Sequence, residues 1–413
     1  MKFEESELIY DWNLADGEVT PARGQVELND ETLRDGLQSP SVQTPPIEQK
    51  LEILHALAEI GIDSLNIGLP GAGPHVVADV TRLAQEIVDR KLPLAANCAA
   101  RTLEADIRPI VEISQRTGLA IEAACFLGSS PIRQYTEGWE MEKLEKLTRD
   151  AVGFATREGL PVMYVTEDTT RARPEDAKRL YGAAIEAGAR RICIADTVGH
   201  ATPAGTRALV RFLRRVADES GERVAVDWHG HNDRGLGLAN AIAAAEAGAD
   251  RIHGTILGIG ERVGNCALDQ LLVNFELLGW SRRNVAPLAA LCDLVSRATG
   301  VAIPESYPVI GRDAFRTQTG VHAAAIVKAR AKGDDWLADR IYSGIPAAMV
   351  GRRQVVEVGP MSGQANVQYW LSEHRVESTP ELVQEIFRAA KSATATLSED
   401  EIFAVCRRHG AAV

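Results

Sequence analysis

Two histidines, His229 and His231, stand two residues apart in the run Asp227-Trp228-His229-Gly230-His231-Asn232-Asp233. On an extended strand, residues i and i+2 point to the same side. Two imidazoles so placed can share one cation, and imidazole is the commonest metal ligand among side chains. A carboxylate from elsewhere, Asp35, completes a two-His-one-carboxylate set with positions left open for a substrate. Arg34 beside it carries a permanent charge and several donors, suited to a developing oxyanion. Glu167, in Thr166-Glu167-Asp168, reads as a base, a water-orienting group or a structural acceptor for Arg34, and Asp168 equally as a helix N-cap. Gly258-x-Gly260-x-x-x-Gly264 lacks the dinucleotide spacing; it reads as a tight loop or as backbone brought close to a ligand. The pairs Asp30/Glu31 and Glu140/Glu142 read as caps and solvated surface.

These residues need elements to position them. Strand-like runs start near Gln25, Asp63, Leu92, Ala120, Pro161, Arg190, Arg223 and Asp250. Stretches with helical periodicity lie between them, such as Ile47–Ile60, Val76–Asp89, Met141–Arg157, Pro174–Ala187 and Pro203–Ser220. Gly61, Gly118, Gly159, Gly188 and Gly248 follow helical stretches where a helix stop belongs. Strand–helix alternation implies a parallel sheet, and eight such units predict a (β/α)8 TIM barrel over residues 25–280. A doubly wound open sheet is the rival, but it normally uses fewer strands. In a barrel, the polar runs after the strands all fall on the C-terminal face, where barrel enzymes do their chemistry. Residues 1–24 read as a lead-in arm. Residues 281–413 read as a mostly helical C-terminal region, with helices at Leu288–Thr299, Thr319–Arg330, Pro380–Ala390 and Glu399–His409.

Composition narrows the classes. With 413 residues, 45% hydrophobic and 25% charged, the chain has length for two or three domains and the balance of a globular protein. Its net charge of −12 argues against a nucleic-acid partner, which favours a basic stripe. No apolar run is long enough to span a bilayer, and Met1–Tyr10 lacks the apolar core of a secretory signal, so a cytoplasmic location is expected. Six widely spaced cysteines (Cys98, Cys125, Cys193, Cys266, Cys292, Cys406) fit reduced thiols rather than a disulfide framework.

The run Asp30-Glu31-Thr32-Leu33-Arg34-Asp35-Gly36-Leu37-Gln38 resembles the first signature of the 2-isopropylmalate synthase and homocitrate synthase family. The run from His229-Gly230-His231-Asn232-Asp233 through Gly258-Ile259-Gly260-Glu261-Arg262-Val263-Gly264-Asn265 resembles the second. The resemblance implies a metal-dependent acyltransferase performing a Claisen condensation. Acetyl-CoA adds to the ketone of a 2-oxo acid such as 2-oxoisovalerate, and thioester hydrolysis releases a 2-substituted malate and CoA. It implies a divalent cation (Mg2+, Mn2+ or Zn2+) on Asp35, His229 and His231, with Asn265 as a fourth candidate. Arg34 and Glu167 match catalytic positions, and Thr197 matches a position that contacts the 2-oxo acid carboxylate. His322 and Tyr342 match a catalytic pair that reaches the partner subunit's active site, which implies a homodimer with exchanged C-terminal regions and a role in amino-acid biosynthesis.

Departures from the family pattern bear on the substrate. Leu37 replaces the usual Glu and looks more like the related 3-hydroxy-3-methylglutaryl-CoA lyase branch, yet the glycine-rich loop lacks that lyase's Cys. Met163 stands where homocitrate synthases carry an Arg for a distal carboxylate, and Val165 replaces a usual Ser. Arg133 stands where many isopropylmalate synthases have His; it faces either solvent or an extra anionic group such as a phosphonate. The sequence to Val413 has no room for a leucine-sensing domain, so no leucine feedback of that type is expected. The alternatives are homocitrate, citramalate or phosphonomethylmalate synthase specificity, C–C cleavage of the lyase type, or a non-catalytic sensor on an inherited barrel.

Overall fold

The structure, a computed structural model, describes residues 5–15, 17 and 20–411. Part of the lead-in arm (1–4, 16, 18 and 19) therefore lies outside the described residues. Eight parallel strands close into a barrel in sequence order. They are β1 (Glu27–Asp30), β2 (Ser64–Asn66), β3 (Ala95–Arg101), β4 (Ile121–Gly128), β5 (Val162–Glu167), β6 (Arg191–Asp196), β7 (Ala225–Gly230) and β8 (Arg251–Gly254). The closing pair is β1 with β8, in register from Glu27 opposite Arg251 to Asp30 opposite Gly254. A helix follows each strand, from Ile47–Ile60 after β1 to Leu268–Leu277 after β8. The expected TIM barrel is the observed fold.

The helices form where the apolar stripe can bury. In Ile47–Ile60 the residues Ile53, Leu54, Leu57 and Ile60 are all buried, the i, i+3, i+4 spacing of a face packed on a sheet. Gly61 ends that helix at φ +85°, its N–H donating to the Ala58 and Leu57 carbonyls, a left-handed turn that other residues adopt only under strain.

The barrel interior is unusually polar. Asn29 Oδ1 accepts from Ser64 Oγ and Asn97 Nδ2, both at 2.7 Å. Arg251 ties Asp227 (2.6 Å) to Glu122 (2.7 Å), and Arg191 reaches Asp227 at 2.7 Å. Burying such charges is costly unless each is paired, as here.

The chain divides into two compact units: Trp12–Ala302, and Ile303 onward together with residues up to Asp11. The helix Leu288–Thr299, expected to open the C-terminal region, belongs to the barrel unit; Thr299 accepts from the Gln43 amide at 2.8 Å. The second unit holds helices Gly320–Ala331, Asp335–Arg340, Gln364–Glu373, Pro380–Ser392 and Glu399–Arg408. It also holds a parallel strand pair, Arg316–Thr317 with Val355–Val356. Its core is built on Val358, Val367, Leu371, Ile386, Ile402 and Cys406. All six cysteines are buried and free, and no described helix is long and apolar enough to cross a membrane.

Candidate active site

A cavity of about 340 Å3 opens at the C-terminal ends of the strands, lined by Arg34, Asp35, Glu167, Thr197, His229 and His231 among others. Residues drawn from β1, β5, β6 and β7 thus meet at one mouth, as the barrel reading requires.

The strand–turn after β1 delivers Arg34 and Asp35. Its start is pinned by Asp30, whose carboxylate accepts from the Thr32 amide (2.9 Å) and hydroxyl (2.7 Å). Burial pushes the Asp30 carboxyl up to about 7, against those hydrogen bonds. Asp35 Oδ2 lies 3.5 Å from His229 Nε2 and 3.5 Å from His231 Nε2. Ligand atoms about 2.0–2.2 Å from a common ion stand roughly 3.0–3.5 Å from one another, so these separations fit one divalent cation. Burial, with His229 beside it, brings the His231 imidazole down to about 4, leaving it neutral and able to donate its lone pair at pH 7.

Asn265 comes from a loop that closes on itself. Its amide N donates to Gly258 O at 3.0 Å. A Cβ on Gly264 would meet that oxygen at 1.7 Å, and one on Gly260 would meet Asn265 Nδ2 at 2.2 Å. The glycines are therefore required for closure of a tight loop. Asn265 Nδ2 donates to Ile259 O (3.3 Å), and Oδ1 is buried with no partner. A buried amide oxygen without a donor keeps its lone pairs for another partner, which fits the fourth-ligand reading of Asn265.

Glu31 corrects the sequence reading. Expected as cap or solvated surface with Asp30, it is 2% exposed, and Asp30 is fully buried. The reason is topological: the turn after β1 folds inward over the barrel, placing Glu31 between three partners. His229 Nδ1 is 2.8 Å from Glu31 Oε2, Arg34 Nη2 is 2.9 Å from the same oxygen, and His253 Nδ1 is 3.2 Å from Oε1. Burial works against this carboxylate, but Arg34 and His229 hold its pKa well below the usual range. His229 thus sets Nδ1 2.8 Å from Glu31 Oε2 and Nε2 toward Asp35. A carboxylate behind a ligating imidazole raises its basicity. Behind it, His253 Nε2 meets Asp227 Oδ2 at 2.9 Å. Sequence reasoning missed Glu31, His253 and Asp227 as site residues. A signal existed: Asp227/His229 and Arg251/His253 are both i, i+2 pairs, facing one side of neighbouring strands.

The structural-acceptor reading of Glu167 finds no support, since Arg34 is taken by Glu31 and, at 3.6 Å, Asp35. Glu167 lines the cavity half-buried, and burial, opposed by Arg133, raises its carboxyl pKa. Asp168 is not a side-chain cap: Arg171 clamps its carboxylate at 2.7 Å, and its backbone sits at φ +59°. Its amide donates to Thr197 Oγ1 at 2.9 Å, so the Thr197 hydroxyl proton is free to donate into the cavity. Met163 and Val165 line the cavity with Ala99, Ala124 and Ala195. Arg133 does not: its stem lies against Gly128, and its guanidinium pairs with Glu137 at 2.8 Å and lies over Trp139. His322 and Tyr342 lie in the C-terminal unit, both exposed, their rings stacked with centroids 4.0 Å apart.

Fold and donor set define the class: a TIM barrel whose mouth carries a two-His-one-carboxylate cluster. Within that class the chain belongs to the HMGL-like family, whose sequence model matches residues 25–298. It is 34% identical over 371 residues to the homocitrate synthase AksA of Methanopyrus kandleri, covering 89% of this chain and 87% of that one. It is 36% identical over 323 residues to a 2-isopropylmalate synthase of Pyrococcus abyssi, covering 74% and 63%. A homocitrate synthase of the same organism matches at 32% over 92% of this chain and 98% of its own. Among solved structures, the HMG-CoA lyase of Bacillus subtilis shares the fold, with a TM-score of 0.58 at 18% identity over 70% of this chain and 98% of the lyase.

Proposed function

We propose that this chain is an acyltransferase of the 2-isopropylmalate synthase type, condensing acetyl-CoA with a 2-oxo acid that carries a small apolar side chain. The observation that carries this reading is the Asp35–His229–His231 cluster beside Arg34, facing a wall of Met163, Val165 and alanines. A divalent cation on Asp35, His229, His231 and Asn265 would supply Lewis acidity at the ketone. Arg34, held by Glu31, then offsets the negative charge that develops on the keto oxygen as the new C–C bond forms. Thr197 donates to the substrate carboxylate. His322, with Tyr342 stacked on it, removes the proton from the acyl methyl group, from the partner subunit of a domain-exchanged homodimer. Water then attacks the thioester carbonyl, and CoA leaves as the thiol.

A distal carboxylate, as in 2-oxoglutarate, would meet the apolar side chains of Met163 and Val165, and Arg251, 3.3 Å from Met163 Sδ, is already paired with Asp227 and Glu122; an unpaired charge against such a wall is strongly disfavoured. The test is thiol release from acetyl-CoA with Mg2+, Mn2+ or Zn2+ and a panel of 2-oxo acids. We expect kcat/KM for 2-oxoisovalerate to exceed that for 2-oxoglutarate at least about tenfold, the scale of pocket discrimination. Met163→Ala should shift preference toward longer side chains such as 2-oxoisocaproate, again about tenfold. An unchanged ratio would remove Met163 from the specificity wall.

Glu167 has a pH signature. Its carboxyl is raised by burial, so activity that needs the carboxylate climbs with pH through a midpoint above the ordinary glutamate value of about 4.3. In Glu167→Gln that acid limb should vanish along with most of kcat. An acid limb that persists unaltered in the variant would show that a group other than Glu167 sets it.

A further inference from the structure

Arg262, in the loop after β8, joins three strand ends. Its guanidinium takes both oxygens of the Asp233 carboxylate, Nε to Oδ1 at 2.7 Å and Nη2 to Oδ2 at 3.0 Å. The other Nη2 proton goes to the Thr197 carbonyl at 2.6 Å. Thr197 follows β6, Asp233 lies two residues beyond His231 after β7, and Arg262 precedes Asn265 by three. One side chain thus ties the loop of the substrate-facing threonine to the two loops that carry candidate metal ligands. Isolated surface ion pairs contribute little. This one is bidentate, with a further bond to a backbone carbonyl, a geometry that a planar fork supplies and an ammonium does not. The backbone points the same way. Arg262 stands at φ +56°, a left-handed conformation that costs energy in a residue with a side chain and persists where surrounding bonds enforce it.

The group this clamp governs is Thr197. The rest of the loop after β6 has its own anchors: Asp196 Oδ1 accepts from the His200 amide at 2.8 Å, and Arg234 Nη1 donates to His200 O at 2.7 Å. The metal-ligand side is also held independently, with Asn232 N donating to Gly264 O at 2.9 Å and Asn265 N to Gly258 O at 3.0 Å. Thr197 O is held by Arg262. Its hydroxyl accepts from the Asp168 amide at 2.9 Å, which leaves the hydroxyl proton for a ligand in the cavity.

We infer that Arg262 is a positioning residue for the 2-oxo acid: it fixes Thr197 so that the hydroxyl meets the substrate carboxylate, and it acts through Thr197 rather than on the substrate. This rests on the proposed role of Thr197 as the carboxylate donor. Arg262 lines the cavity, but its Nε and Nη2 protons are taken by Asp233 and Thr197, and Nη1 lies 3.8 Å from Glu261 Oε2. A direct role and a positioning role therefore differ in sign. A guanidinium acting as an anion receptor would be freed by removal of Asp233 and would bind more tightly. A clamp needs Asp233, and losing either member releases Thr197.

The experiment compares Arg262→Ala, Asp233→Ala, their double variant and Arg262→Lys in the metal-loaded full chain. KM for 2-oxoisovalerate should rise about tenfold in each single alanine variant, the scale of one hydrogen bond to a charged group, and no further in the double variant, because the two residues act as one unit. KM for acetyl-CoA and metal affinity should stay at the parent's values, with Tm within about 2 °C. Arg262→Lys, a point charge that cannot serve both partners, should resemble Arg262→Ala. A second readout needs no turnover. Hydrogen exchange at the Asp168 amide, followed by mass spectrometry on a fragment spanning β5 and the turn after it, should quicken about tenfold in each variant as Thr197 loosens. Tighter 2-oxoisovalerate binding in Asp233→Ala, or a parental KM in Arg262→Lys, would replace the clamp with a direct charge effect. Both KM values rising together with a lower Tm would make the contact merely structural, and unchanged exchange would show Thr197 held without Arg262. Each of these overturns the inference. Absence of thiol release by the parent with every 2-oxo acid would instead remove the proposed reaction, and exchange would still decide whether Arg262 holds Thr197.

Discussion

Asp35→Asn is expected to abolish metal-dependent thiol release while leaving the barrel folded. The substitution keeps the side chain's size and one carbonyl oxygen but removes its charge. That charge sits with its carboxylate 3% exposed, at 3.5 Å from both His229 Nε2 and His231 Nε2. His231 is neutral at pH 7, and Glu31 is committed to Arg34, His229 and His253. Asp35 is therefore the one anion in the donor set that directly offsets a divalent charge. Losing groups that merely back a metal ligand costs about 10–100-fold; losing the anionic ligand should exceed that in both metal affinity and kcat/KM. Metal content after dialysis, read beside thiol release, separates the two effects. Full metal occupancy with activity within about tenfold of the parent would falsify the assignment of the centre.

The barrel was legible because its signals are local and repeated. A strand run, a periodic helix and a stop glycine recur along residues 25–280, and each repeat confirms the others. His229 and His231 were legible for the same reason: strand geometry alone puts them on one side. Glu31 was not, because nothing in a five-residue turn states which way it folds, and a charged pair beside a strand end is solvated more often than not. His253 and Asp227 face each other across β7 and β8, a relation set by strand pairing rather than spacing. The same limit applies to the strand pair Arg316–Thr317 and Val355–Val356, two-residue segments that exist only through each other. Asp168 shows the opposite failure. Its type suited an N-cap, but Arg171 three residues on captured the carboxylate first.

His253→Leu should damage stability and the metal centre together. His253 is 1% exposed and joins Glu31 (3.2 Å) to Asp227 (2.9 Å), donating through both ring nitrogens when protonated. Burial opposes its charge, but hydrogen bonds to Asp227 and Glu31 raise its pKa above the ordinary value. Asp227 keeps Arg191 and Arg251 when the imidazole is removed; Glu31 loses the partner that fixes its second oxygen. Removing one member of a buried charged cluster costs about 3–5 kcal/mol, and with these remaining cations the low end applies. For a unit of this size that corresponds to a Tm lower by roughly 6–12 °C. The sign of the pH dependence follows from the raised pKa. The stabilisation is fully present below the unfolded histidine value of about 6.5 and is lost as pH rises through the folded value. The gap between parent and His253→Leu should therefore be wider at pH 6 than at pH 9. Metal affinity should fall about 10–100-fold, because Glu31 no longer holds His229 in register. His253→Gln, which retains a donor, should recover part of the affinity, a rescue that mere loss of packing would not produce. A variant melting within about 2 °C of the parent at pH 6, with unchanged metal affinity, would mean that Glu31 orients His229 without help from β8.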